Sequence, residues 1–376
     1  MTSAADGPGD SAREIVDWDF AVRIGSGLAG DGPTTGRAEA AAVVAELRAD
    51  AAKATPLVKE FTGLVTPAEY APVLVVDRAG WVQANADAFA HIMTPVIEKV
   101  MTHRPSGIAR SVGAKVTGAE VGGLLGFLSS KVLGQFDPFA GPDAVERGTS
   151  ERPRGRGGAG PSGAGADSGT YGRLLLVAPN IVQAERDLGV DPTDFRLWVC
   201  LHEETHRVQF TANPWLRDHV FSEVEALAAT MDAQTLLSDG LSRIGEAIKG
   251  NGNLLEAISS PEQRAIMDRV TGMMSLLEGH ADVVMDGVGP SVIPTVATIR
   301  EAFNKRRKGT GSLDRIVRRL LGLEQKMAQY RDGAVFVRAV IDRVGMEQFN
   351  TVWSGPETLP SKDEIYAPDA WIKRVL

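Results

Sequence analysis

A single cysteine, Cys200, excludes an internal disulfide and is compatible with a reducing compartment. Flanked by Val199 and Leu201, it reads as a small core hydrophobe rather than a nucleophile. Long apolar runs are missing as well. The nearest, Val121 to Leu133, is too short to span a bilayer and carries Lys131. Met1 to Arg13 is Ala, Gly, Ser and Asp with no apolar core of signal-peptide length, so a soluble, cytoplasmic protein with no membrane partner is expected. Positive charge is in deficit. With 40 Lys and Arg against 48 Asp and Glu, the net charge of -8 argues against nucleic-acid binding, which draws on clustered cations. One basic cluster, Lys305-Arg306-Arg307-Lys308 beside Gly309 and Gly311, is expected to be a solvated loop. Histidine is also scarce, with 6 in the chain.

Two of those histidines stand in His202-Glu203-Glu204-Thr205-His206. Residues four apart on a helix share a face one turn apart, so both imidazoles can bind one divalent ion. Glu203 is then placed as general base toward a water polarised by that ion. The segment has a clear helical start: Asp191 as N-cap, Pro192 at the first position and Asp194 at the third. From Phe195 to about Phe210 the helix carries Phe195, Leu197, Trp198, Val199 and Leu201, which predicts deep burial. Polar groups inside a buried helix are costly without partners, and metal coordination supplies them.

Two histidines leave tetrahedral zinc two places, one for a further protein ligand and one for water. The segment Met274 to Asp286 reads as an apolar helix with Glu278 and Asp282 one turn apart. Glu278 as third ligand would let Asp282 accept a hydrogen bond from the free ring nitrogen of a histidine ligand. His280 competes for the third place, but it lies about 200° around the helix from Glu278, so the two do not serve one ion. Glu204 is read as a solvent or structural contact. Donors for a developing oxyanion are sought among His219, Arg217, His280 and Tyr330, without a choice between them.

HExxH followed by a helix bearing Glu-x-x-x-Asp is similar to the gluzincin branch of zinc metallopeptidases. The phrases from Leu201 to Phe210, Pro214-Trp215-Leu216-Arg217 and Leu277-Glu278-Gly279-His280-Ala281-Asp282 resemble an actinobacterial family of zincin-like hydrolases. Its members are labelled zinc-dependent metalloproteases or associated with deazaflavin-cofactor biosynthesis. The resemblance runs from about Trp18 to Trp371 and implies His202, His206 and Glu278 as zinc ligands, Glu203 as base and Asp282 as support.

A hydrophobic fraction of 43% supports a sizeable core. The expected fold is mainly α (α+β), a zincin-like domain with a small sheet and a helical N-terminal half. Residues 1–14 are expected to be disordered, 15–136 helical, 137–172 a flexible Gly/Arg/Pro-rich insertion, and 173–376 the metal-binding domain with C-terminal helices. In the first half, an Ala-rich helix runs from Ala38 through Ala52 to a stop at Pro56, a second spans Ala84 to Met101, and Val121 to Leu133 carries Gly122, Gly123 and Gly126 for close helix approach. Leu174 to Val177 is a short buried strand ended by a turn at Ala178-Pro179-Asn180, with a helix around Val182 to Leu188 closed by Gly189. That strand is either a plain core strand or the edge on which extended substrate pairs. The tail is read as a helical run through Ile316, Leu320, Leu323 and Met327, a helix from Ala334 to Val344, and an irregular wrap marked by Trp353, Pro356, Pro360 and Trp371.

The leading expectation is a zinc hydrolase cleaving a peptide or small amide. Two others stay open, a non-catalytic scaffold on the same fold and an amide or ester hydrolase acting on a small cofactor-related substrate. Oligomeric state is not legible in the sequence.

Overall fold

The computed structural model describes residues 15–67, 71–94, 108–141, 172–230, 260–308 and 323–376. The expectations for residues 1–14, for the bulk of the Gly/Arg-rich insertion and for Ile316 and Leu320 lie outside them, as does the second helix's predicted end at Met101.

Helix α1 (Trp18–Ala29) is capped by Asp17, whose carboxylate accepts from Phe20 N. It crosses α4 (Ile108–Ser129) at glycines on both sides: a Cβ on Gly122 would stand 2.4 Å from Ala21 O, and one on Gly126 would stand 2.8 Å from Gly25 O. The glycines of the Val121–Leu133 segment therefore do permit backbone contact. Helix α2 (Arg37–Thr62) does not stop at Pro56 as expected. Proline removes one hydrogen bond, yet Ala54, Val58 and Thr62 beyond or beside it are buried, and packing outweighs the lost bond. The stop comes at Gly63, whose φ of +69° is the left-handed cap that glycine adopts without strain. Helix α3 (Arg78–Ile92) begins six residues ahead of the predicted Ala84, because Asp77 caps it through Gly80 N.

Three short strands form the sheet, β1 (Val73–Val76), β2 (Gly134–Asp137) and β3 (Arg173–Val177), in the order β1-β3-β2. β1 runs parallel to β3 with Val73 opposite Leu174, and β2 antiparallel with Gly134 opposite Leu176. Leu174–Val177 is thus the central strand, paired on both sides, and cannot offer an edge to substrate. Its continuous apolar run reflects burial on both faces: Leu175 and Val177 pack with Trp81 and Leu125, and Leu176 joins the cluster of Phe195, Val199 and Leu201. Ala178-Pro179-Asn180 is not a turn. It opens α5 (Ala178–Leu188), with proline tolerated in the first turn, and Asn180 is buried, donating to Ser129 O and Val132 O and accepting from Arg78 Nε. Gly189 closes that helix at φ +64°.

Helix α6 (Pro192–Ala212) follows, capped by Asp191 onto Asp194 N as the sequence predicts. Then come α7 (Trp215–Thr230), α8 (Pro261–Val292), α9 (Val296–Lys308) and α10 (Leu323–Phe349), the last broken by Gly345 at φ +83°. Residues Lys305 to Lys308 continue α9 instead of forming a loop, since Lys and Arg are good helix formers. The tail is more regular than predicted: two 3-10 turns (Asn350–Trp353, Pro356–Thr358), then α11 (Lys362–Ile365) and α12 (Pro368–Val375). Trp371 anchors it, fully buried and donating to Thr358 O. Among the described residues no helix is long and apolar enough to cross a membrane.

One buried charge in the α2–α6 packing has a measurable signature. Asp50 is 9% exposed, its Oδ2 has no hydrogen-bond partner, and burial, followed by Glu46, pushes its pKa up to about 6. A raised folded-state pKa means stability that is complete below about pH 4 and is lost as pH rises through about 6. Asp50→Asn should therefore stabilise the fold at pH 8 by roughly 1–3 kcal/mol and leave it unchanged near pH 4. Denaturant unfolding at both pH values checks this, and equal gains at both would assign the effect to something other than charge.

Candidate metal centre

Helix α6 presents its apolar side to the core through Phe195, Val199, Leu201 and Val208. Cys200 is fully buried with its thiol toward Leu47 O, and burial pushes its pKa up, so it packs as a hydrophobe. On another face Glu204, 0% exposed, pairs with Arg207, whose guanidinium also donates to Ala71 O and Thr55 Oγ1. Glu204 is therefore a structural contact tying the helix to α2 and the approach to β1, not a solvent one.

The face carrying His202 and His206 meets Glu278 of α8. The two Nε2 atoms lie 3.2 Å apart, and Glu278 places Oε2 3.7 Å from His202 Nε2 and Oε1 3.7 Å from His206 Nε2. Two ligand atoms bound about 2.0–2.1 Å from a tetrahedral zinc stand roughly 3.3 Å apart. The histidine pair has that spacing already, and a small closure by the flexible Glu278 side chain completes it. Among the described residues these are the ones gathered as a possible metal-holding group, and each is only half-buried, which leaves room for water or substrate. Their chemistry, two imidazoles and one carboxylate, suits zinc.

Glu203 sits beside the group, 7% exposed, and burial together with the Glu278 charge pushes its pKa up to about 8. It is crowded from β2, where a Cβ on Gly134 would stand 2.6 Å from Glu203 Cγ and 2.9 Å from Oε1. Glycine at 134 is what allows this strand to approach the carboxylate. The sequence reading found neither Gly134 nor β2, because a four-residue strand of Gly, Gln, Phe and Asp has no apolar alternation.

The second imidazole nitrogens have partners that the sequence reading also missed. His206 Nδ1 lies 3.0 Å from Gln209 Oε1, and His202 Nδ1 lies 3.2 Å from Met285 Sδ. Gln209 was findable: it follows His206 by three residues, on the same helical face. Asp282 stands one turn beyond Glu278 on α8, where its main-chain carbonyl accepts from Arg300.

The candidate oxyanion donors are placed differently from one another. His280 is wholly enclosed, stacked on Phe349 and edge-on to Trp353, and burial, then His206, holds its pKa down at about 3. A neutral ring without solvent access does not meet substrate, so its part is structural. Arg217 forms an exposed pair with its neighbour Asp218, and His219 lies against Trp215 and Glu223. The backbone of Tyr330 is in α10, and its side chain is outside the described residues.

The chain is similar over 96% of its length, and 98% of the other chain, to a crystal structure from Chloroflexus aurantiacus described as a candidate hydrolase with a novel fold, at 30% identity and a TM-score of 0.66. No curated protein matches it. The sequence profile of the zincin-like metallopeptidases matches residues 16–372, nearly the whole chain with both histidines, Glu203 and Glu278 inside the match. The chain belongs to the zincin-like metallopeptidase family.

Proposed function

We propose that the protein is a zinc-dependent hydrolase of peptide or related amide bonds, with His202, His206 and Glu278 holding the ion and Glu203 as general base. The observation that carries this is the convergence of two Nε2 atoms and one carboxylate within 4.8 Å of one another, with Glu203 next to the first histidine. Bound zinc polarises a carbonyl and lowers the pKa of water toward 7. The remaining work falls to the chain. Glu203 takes a proton from the attacking water and delivers it to the leaving nitrogen. Gly134 and the strand around it restrict where the Glu203 carboxylate can swing. Asp282, one turn from Glu278, supports the ligand set.

A peptide reading is favoured by β2. It is an end strand of the sheet beside Glu203, and among the described residues no strand pairs with its other side. An extended backbone laid along it would bring a scissile bond toward the base.

The expected result is one equivalent of zinc per chain, and hydrolysis of a peptide mixture that a chelator removes and added zinc restores. Tight zinc without cleavage of any peptide or small amide would favour the scaffold. Cleavage of small amides or esters alone would move the substrate to the small-molecule class. Absence of zinc binding would end the proposal.

A further inference from the structure

Gln209 is wholly buried, one turn beyond His206 on α6. Its side-chain amide touches three groups, each at 3.0 Å: Oε1 meets His206 Nδ1, and Nε2 meets both Leu277 O and His280 Nδ1. Their hydrogen-bonding roles follow from one atom. A main-chain carbonyl only accepts, so the amide nitrogen must face Leu277 O, and the amide oxygen must then face His206. That oxygen also only accepts, so His206 Nδ1 carries a hydrogen. Its Nε2 therefore offers a lone pair on the side where His202 Nε2 and Glu278 converge. By the same reasoning His280 Nδ1 is an acceptor, and the His280 hydrogen sits on Nε2.

A neutral imidazole free in water favours hydrogen on Nε2. His206 is held in the opposite form, the one that a cation at Nε2 requires. The contact has a second consequence. Leu277 immediately precedes Glu278, so the same amide pins the helix carrying both histidines to the helix carrying the carboxylate.

We propose that Gln209 is the positioning residue of the centre, fixing the tautomer of His206 and the register of α6 against α8, so that a divalent cation meets a prearranged set. The proposal rests on reading His202, His206 and Glu278 as a zinc site. His280, enclosed behind it, buttresses the amide.

Two measurements test it. Nitrogen-15 NMR of the full-length, zinc-free protein at pH 8 should find His206 with hydrogen on Nδ1 and His280 with hydrogen on Nε2. Hydrogen on His206 Nε2, alone or on both ring nitrogens, overturns the assignment, and this readout needs no variant to fold. In chelator competition, Gln209→Met should lower zinc affinity about 10–100-fold. Gln209→Glu, which keeps an acceptor for His206 but sets a carboxylate against Leu277 O, should recover most of that affinity while melting lower than wild type. Wild-type zinc affinity in Gln209→Met refutes the positioning role. Correct tautomers in a wild-type protein that takes up no zinc would instead refute the metal reading, so the two failures are distinguishable.

Discussion

Replacing Glu203 by glutamine is expected to cut hydrolysis by about 10²–10⁴-fold, the range for loss of a general base, while the protein keeps its zinc. Glutamine matches glutamate in shape and still fits beneath Gly134, but cannot take a proton. It lies outside the group of His202, His206 and Glu278, so metal content should be unchanged. Stability gives a second reading. In the metal-free chain the Glu203 pKa is pushed up to about 8. A group raised in this way contributes stability that is present at low pH and lost as pH rises through about 8. Glu203→Gln should therefore melt no lower than wild type at pH 7 and higher than it above pH 8. Metal analysis and turnover on the zinc-loaded protein, with thermal unfolding of the metal-free protein, separate these effects. Full activity in a zinc-loaded Glu203→Gln variant would remove Glu203 from the chemistry.

The parts of the site legible in the sequence are those set within one helix. The cap at Asp191, the proline after it and the four-residue histidine spacing define α6 locally, and the structure places them as read. Glu278 was preferred to His280 for its one-turn spacing to Asp282, the helix angle showing only that the two do not serve one ion. The structure puts Glu278 against both imidazoles and encloses His280 between Gln209 and the rings of Phe349 and Trp353.

What was not legible depends on partners distant in the chain. Strand β3 looks the same in sequence whether it is central or an edge. Only pairing with β1, about a hundred residues earlier, and with β2, across the insertion, decides the matter. Pro56 is a strong local stop signal, overridden because α2 packs along α6 through Leu47, Ala51, Ala54 and Val58. The sheet also draws β1 and most of β2 from the segment expected to be helical, so the N-terminal region helps to build the wall beside Glu203. A tertiary contact of this kind leaves no periodic trace.

The crossing of α8 and α10 gives the largest expected loss of stability. A Cβ on Gly333 would stand 1.9 Å from Ser275 O and 2.7 Å from Ser275 C, and one on Gly279 would stand 2.2 Å from Gly333 C. Every atom met is backbone, so no side chain can turn aside and the helices must separate. Separation would open the cluster of Leu276, Leu277, Phe336, Val337 and Val340 to voids. Gly333→Ala should therefore cost about 3 kcal/mol or more, beyond the ordinary range for one added methyl in a core. Alanine's better helix propensity returns about 1 kcal/mol at most. Gly27→Ala is the control: exposed on α1 with nothing within 4 Å, it should gain about 0.5–1 kcal/mol. Because Gly279 adjoins Glu278, the same separation displaces the carboxylate from the histidines, and Gly333→Ala should also bind zinc more weakly than wild type where it remains folded. Gly279→Ala forces the same crossing apart, so the double variant should lose much less than the sum of the two single changes. Additive losses, or a Gly333→Ala protein that melts with the wild type, would show that the two helices do not meet there.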